Sequence, residues 1–365
     1  MRLLALLLLI PLAAAQQTAV VPEPQEAPPC DDVPEPVLFA DLDTAVENLA
    51  FDGQGNLFLT AFADGLFRAW PDGTVAHVAK DDRPAQASGQ NSFMGVDVGP
   101  DGALYVSEGV SIGTPVAARV LRFPVPGEPA FEVYAEGMDG ANGLAVTPDG
   151  VVFVVHGFRD EVWRIPEEGR VELWTRVPGA NGLVAHPDGE RLVTVPLADA
   201  SNTVTAIPLA DPERREALFS FNVGTSPLAP GAPGLARPVM TKGVDDLVVA
   251  EDGRIYAAAH LRLQVLRGDP SSGQMCILLD FRQRSAEGGE PTSVRIARGF
   301  GPWDGWLFST DNFGEVWAVD IRDAGREGVD GREGARAQEG RATPLGLLAP
   351  VALLAAAVYG ARRAS

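Results

Sequence analysis

One phrase recurs six times along this chain and restricts its fold more than any other feature. A short apolar strand runs into a tight glycine turn, and a second apolar strand leaves it. The turns are Asp52-Gly53-Gln54-Gly55, Asp101-Gly102, Asp149-Gly150, Asp188-Gly189, Asp252-Gly253 and a longer Pro302-Trp303-Asp304-Gly305. Asp-Gly marks a hairpin because glycine accepts the positive φ that such turns need. Gly143-Leu144-Ala145-Val146 before a turn and Val152-Phe153-Val154 after it are typical flanks. A third strand follows in each unit, as in Glu161-Val162-Trp163-Arg164 and Glu315-Val316-Trp317-Ala318, and a fourth in five of the six. The period of about 40 to 60 residues is that of a four-stranded propeller blade. A β-sandwich or a pair of small barrels would not repeat one phrase six times. The expected fold is therefore all-β, a six-bladed β-propeller over residues 37–320. The sixth unit lacks a fourth strand, and Pro36-Val37-Leu38-Phe39-Ala40 stands before the first unit without a partner. The N-terminal strand is expected to close the ring by completing the last blade, which removes an exposed sheet edge. Asp211 to Thr241, rich in Pro, Ala and Gly, reads as an insertion between units four and five.

The ends have a different composition. Met1-Arg2, a leucine-rich run and Ala13-Ala14-Ala15 predict a signal peptide over residues 1–15. Residues 16–36 are Pro- and Glu-rich and expected to be irregular. Residues 321–343 read as a flexible linker. Residues 344–361 read as a C-terminal apolar helix, followed by Arg362-Arg363, that tethers the chain to a membrane or serves as a sorting tag. Its apolar run reaches only about 22 to 30 Å, just enough for a span. The expected location is the extracellular or periplasmic side. Export implies an oxidising space. The sequence leaves open whether the two cysteines, Cys30 and Cys276, pair. A net charge of −20 argues against nucleic acid as a partner. A monomer is expected.

The repeat also serves as a ruler. Eight residues before each turn glycine stand Glu47, Met94, Asn142, Asn181 and Asp245, with Thr292 as the match in the sixth unit. Each opens the innermost strand of its blade, and those openings converge on the channel of a propeller. Glu47, Asn142, Asn181 and Asp245, with Asp246 adjacent, all offer oxygen. Hard oxygen donors select Ca²⁺ or another hard divalent cation over softer metals. Two carboxylates about 5 Å apart repel by roughly 3 kcal/mol at an effective dielectric of about 20. A cation relieves that cost, or one carboxylate keeps a proton. A second ring, six residues after each turn glycine, holds Ala61, Glu108, His156, Val195, Ala259 and Asp311, with His260 one step further. His156 and His260 are acid–base candidates there.

The phrases Glu47-Asn48-Leu49-Ala50-Phe51-Asp52, Asn142-Gly143-Leu144-Ala145-Val146-Thr147-Pro148-Asp149-Gly150 and Asp245-Asp246-Leu247 resemble the senescence-marker-protein and gluconolactonase family, with its relatives regucalcin, drug-responsive lactonase and paraoxonase. The resemblance covers roughly residues 37 to 320. It implies a divalent cation in the central channel and hydrolysis of a small-molecule lactone or related ester. It assigns the cation to Glu47, Asn142, Asn181 and Asp245, with Asp246 added in paraoxonase-like relatives. Asp245 or His156 would take the proton from water. Family members carry Asn or His at the second-blade position; this chain has Met94, with Asn91 just upstream. Asn91, Met94 and Glu108 are the candidate substrate contacts. The rival reading is a non-catalytic surface propeller that binds a protein or glycan and keeps a structural cation. A third is a strictosidine-synthase-like condensing propeller using Glu108.

Overall fold

The computed structural model describes residues 27–31, 33–62, 64–80, 92–109, 117–157, 159–197, 202–221, 243–284 and 289–322. The signal peptide, Asn91, most of the linker and the C-terminal helix expected from the sequence lie outside those residues. Strand β1 (Val37–Asp41) comes first in the chain. Blade one is β2 (Val46–Phe51), β3 (Leu57–Ala61), β4 (Gly65–Ala69) and β5 (Val75–Ala79). Blade two is β6 (Phe93–Val98), β7 (Leu104–Glu108), β8 (Ala118–Phe123) and β9 (Glu132–Met138). Blade three is β10 (Leu144–Val146), β11 (Val152–Val155), β12 (Glu161–Glu167) and β13 (Arg170–Arg176). Blade four is β14 (Ala180–Ala185), β15 (Arg191–Pro196), β16 (Thr203–Pro208) and β17 (Glu216–Ser220). Blade five is β18 (Asp246–Val249), β19 (Ile255–Ala259), β20 (Gln264–Asp269) and β21 (Gln274–Asp280). Blade six is β22 (Pro291–Ile296), β23 (Trp306–Asp311) and β24 (Glu315–Asp320), and β1 pairs antiparallel with β24 as its outer strand. The chain is an all-β six-bladed propeller.

The inner strands of the blades are buried on both faces, as in β3, β7, β11 and β19, which explains their near-continuous apolar sequence. Six apolar clusters fill the six gaps between consecutive blades. The gap between blades six and one, where the two ends of the repeat meet, is aromatic. Phe39 of β1 stands edge-on to Trp303 and Phe308, with ring centroids 5.5 and 5.1 Å away. The outer strand of blade four is a correction to the sequence reading. Residues 216–220, expected within an insertion, form β17, because Leu218 and Phe219 pack against the core between blades four and five.

The cysteines do pair. Cys30 and Cys276 form a disulfide with Cα atoms 5.0 Å apart. The segment before β1 lies along β21, where the Ile277 N–H donates to Pro28 O (2.7 Å) and the Cys30 N–H to Ile277 O (2.9 Å). That segment spans blade five before its chain enters blade six.

Candidate functional site

The inner strands open irregularly, and the irregularity aims the ring residues. In blades one, two, four and six the pairing of the first two strands slips across the ring position: between Val46 and Asn48, Phe93 and Val96, Ala180 and Gly182, and Pro291 and Ser293. A β-bulge re-aims the extra residue and bends the strand. In blades three and five the ring residue stands just ahead of the strand and is tied by its own amide. The Asn142 N–H donates to Val155 O and the Asp245 N–H to Ala258 O, both at 2.8 Å. Glycines after the ring residues let the inner strands close up. A Cβ at Gly143 would lie 2.3 Å from Asn181 O, and one at Gly182 would lie 2.7 Å from Asp246 Cα.

Glu47, Asn142, Asn181, Asp245 and Asp246 are all buried. The Asn142 and Asn181 amides are neighbours over Gly157. A Cβ there would lie 2.9 Å from Asn142 Nδ2 and 3.1 Å from Asn181 Oδ1. Asn181 Nδ2 donates to Asp245 O at 3.0 Å and to Asp245 Oδ1. Burial holds the Glu47 carboxyl well above the usual carboxylate range, and the charges of Asp245 and then Asp246 push the same way. Burial also pushes Asp245 up to about 6, with the His260 ring opposing and Asp246 adding to the rise. Residues separated by some 200 positions therefore act on one another electrostatically.

The donor set suits a hard cation. The side chains of Glu47, Asn142, Asn181 and Asp245 all carry oxygen. Asn181 Oδ1 is buried without a hydrogen-bond partner. Glu47 receives no side-chain hydrogen bond among the described residues, although it is buried beside two carboxylates. Unpaired acceptors and crowded carboxylates are what a cation satisfies. Among the described residues no group of three or more His, Cys, Asp or Glu side chains is arranged to hold a metal ion.

Other expected site residues fare differently. Asp246 stands next to the group, but its Oδ2 accepts from Arg295 Nη1 at 2.5 Å while its Oδ1 is buried without a partner. Thr292 does not join the polar ring. Its hydroxyl donates to Val46 O at 2.8 Å and meets Thr310 Oγ1 at 3.0 Å. Glu108 is buried and paired with a guanidinium. It faces Arg119 across β7 and β8 in register, and the guanidinium holds both its oxygens, at 2.5 and 3.0 Å. Met94 is buried and offers no polar side-chain atom. His156 is buried with its ring against Gly140, where a Cβ would lie 2.7 Å from Nε2. Burial, and then the charge of Arg159, hold its pKa below the ordinary histidine value, so the ring is neutral at neutral pH.

The sequence reading underrated the blade-five to blade-six side. His260, in a short 3₁₀ turn after β19, lies between two carboxylates. Its Nδ1 is 3.5 Å from Asp245 Oδ2, and its Nε2 is 3.3 Å from Glu290 Oε2. Glu290 in turn accepts from Asn312 Nδ2 at 2.5 Å. Asp311, at the end of β23, accepts from the Phe313 and Glu315 amides at 2.9 Å through Oδ1, while its Oδ2 is buried without a partner. Burial pushes its carboxyl up to about 7. Asp311 was visible as a member of the second ring; Glu290 and Arg295 lie at no repeat position that marked them.

No protein-family model matches the chain, and no curated protein does. Solved structures do. A gluconolactonase from Xanthomonas campestris is 16% identical over 82% of this chain and 98% of its own, with a TM-score of 0.55. A glucose dehydrogenase is 17% identical over 78% of this chain and 99% of its own, with a TM-score of 0.56. A streptogramin B lyase is 12% identical over 78% of this chain and 97% of its own, with a TM-score of 0.50. Three reactions on one architecture show that the fold does not choose the chemistry. The likeness is one of fold: this chain is a six-bladed propeller of the architecture that gluconolactonases use, which fits the family resemblance carried by its strand-opening residues.

Proposed function

We propose that the protein is a hydrolase of a small lactone or related ester that works with Ca²⁺, or another hard divalent cation, at the Glu47, Asn142, Asn181 and Asp245 group. One observation carries the reading. Side chains from four blades meet in a buried group with an unpartnered amide oxygen and carboxylates that burial and mutual charge push away from ionisation. A cation held there supplies Lewis acidity toward an ester carbonyl. The chain's own residues supply the rest. Asn181 holds Asp245 by its carbonyl and its carboxylate. His260 faces the other Asp245 oxygen and is steadied by Glu290 and by Pro291 O, 3.2 Å from Nδ1. Asp245 and the neutral His156 are the groups that would accept the proton of water.

The same proposal has the protein exported through residues 1–15, tethered by residues 344–361 and monomeric. Among the described residues no helix is long and apolar enough to cross a membrane. The Cys30–Cys276 disulfide fits an oxidising compartment.

A panel of aliphatic, aromatic and sugar lactones assayed with and without a chelator tests the reading. Chelator-sensitive turnover that falls at least ~10-fold in Glu47→Gln is expected. The second reading, a binding propeller with a structural cation, draws on blade two, where Met94 is apolar and Glu108 is locked to Arg119. Bound calcium with no turnover on any lactone would select it.

A further inference from the structure

Each carboxylate of the Glu47–Asp245 pair is followed along its strand by a residue that turns to another partner. After Glu47 comes Asn48, and after Asp245 comes Asp246. Both meet Arg295, on β22. Its Nη1 donates to Asp246 Oδ2 (2.5 Å), Val294 O (2.7 Å) and Leu247 O (3.1 Å), and its Nη2 to Asn48 Oδ1 (3.3 Å). Ser293 Oγ lies 3.1 Å from the same Asn48 oxygen. Inner strands of blades one, five and six thus surround one guanidinium with hard oxygens, the donor class that a calcium ion takes. The Asp246 side chain is only 3% exposed and Arg295 14%. Asp246 Oδ1 is buried without a hydrogen-bond partner, near Gly182 of blade four, where a Cβ would lie 2.8 Å from it, so the carboxylate that Arg295 holds keeps an unused acceptor. The field reaches blade two as well. Burial raises the Asp97 carboxyl, the Arg295 charge opposes the rise, and the Asp246 charge adds to it.

We propose that the Arg295 guanidinium is a resident cation filling a second oxygen cage beside the Glu47–Asp245 centre, and that it restricts the channel to one metal ion. The inference rests on the reading that this centre binds a cation. Charge balance gives it content. Arg295 offsets Asp246, leaving Glu47 and Asp245, two carboxylates, for one divalent ion. With the guanidinium gone, the third carboxylate and its surrounding oxygens become a vacant site for a second hard cation.

Calorimetric Ca²⁺ titration of the purified full chain, with equilibrium dialysis for stoichiometry, tests this. Wild type is expected to bind one ion, Arg295→Met two, and Arg295→Lys, which keeps the charge, one. Glu47→Gln with Arg295→Met is expected to retain one. One ion in Arg295→Met with an unchanged melting temperature in chelator overturns the proposal while leaving the centre intact. No ion in wild type and one in Arg295→Met removes the centre and with it overturns the one-ion restriction, whereas one ion in wild type keeps the centre whatever Arg295→Met binds. If Arg295→Met folds only when Ca²⁺ is present, the ion has replaced the guanidinium and the proposal stands. If it folds in neither condition, Asp246→Asn with Arg295→Met decides. Recovery of folding supports a charge role, whereas continued failure makes Arg295 a packing residue and overturns the proposal.

Discussion

Blade two and the blade-five to blade-six side both bury carboxylates, but they treat them in opposite ways. In blade two, Glu108 and Arg119 face each other in register, and one guanidinium takes both carboxylate oxygens. The charge is balanced within the hairpin. On the other side, the charges of Asp245 and Asp246 act on Glu47, His260 lies between Asp245 and Glu290, Arg295 meets Asp246, and Asp311 is buried at the end of β23. Two of their oxygens, on Asp246 and Asp311, have no partner at all. A satisfied pair is structure. An unsatisfied surplus of buried acceptors is where a ligand belongs.

The largest effect that separates the two sides is expected in blade two. Arg119→Met removes the guanidinium that holds both oxygens of the buried Glu108, which is expected to cost about 3 to 5 kcal/mol in urea unfolding, and Glu108→Gln in the same chain restores most of it. Calcium gives this variant no more stabilisation than it gives wild type. A specific calcium rescue would erase the distinction between the sides.

Asp311 comes next. Its carboxyl is raised in the folded protein to about 7, so the folded state holds a proton that the unfolded state releases near the ordinary carboxylate value. The stability it contributes is complete below that ordinary value and is lost as pH rises through about 7, on the order of 4 kcal/mol in all. Asp311→Asn is expected to flatten the stability profile between about pH 4 and 7, followed by chemical denaturation at each pH. An unchanged profile would mean that Asp311 is ionised and that the surplus on this side is smaller than the geometry implies.

Glu47→Gln sharpens the comparison further. In chelator it is expected to stabilise the fold by about 1 to 3 kcal/mol, because it removes one of the mutually repelling carboxylates. In calcium the advantage reverses, because the variant lacks a ligand. Melting curves in the two buffers read both signs.

The smallest effect expected is that of Glu108→Gln combined with Arg119→Met on lactone kinetics, a change in kcat/KM of under about threefold. A large loss would bring Glu108 back as a substrate contact and make blade two part of the site.

Much of this could be read from residue order. The six Asp-Gly or longer glycine turns, with apolar strands on both sides, indicated the blades, and the fixed distance from each turn indicated Glu47, Asn142, Asn181 and Asp245 as neighbours. Local rules suffice there: glycine permits the turn, strand spacing is constant, and a ring of blades brings equivalent positions together. Thr292 shows where the ruler breaks. It stands at the right count and at a bulge, yet its hydroxyl spends itself on Val46 O. The strand at Glu216–Ser220 was hidden in a Pro-, Ala- and Gly-rich stretch because what fixes it is tertiary: pairing with β16 and the packing of Leu218 and Phe219 against the core between blades four and five.

Residue order alone settled the repeat, the number of blades and the count at which Glu47, Asn142, Asn181 and Asp245 stand in their blades, since each follows from turn chemistry and strand periodicity within a few residues. Folding in three dimensions assigned the partners. Asp245 and Asp246 are adjacent and chemically alike, but one meets Asn181 and His260 while the other meets Arg295, 49 positions away. Which charge is compensated depends on distances between blades, and no local pattern encodes those.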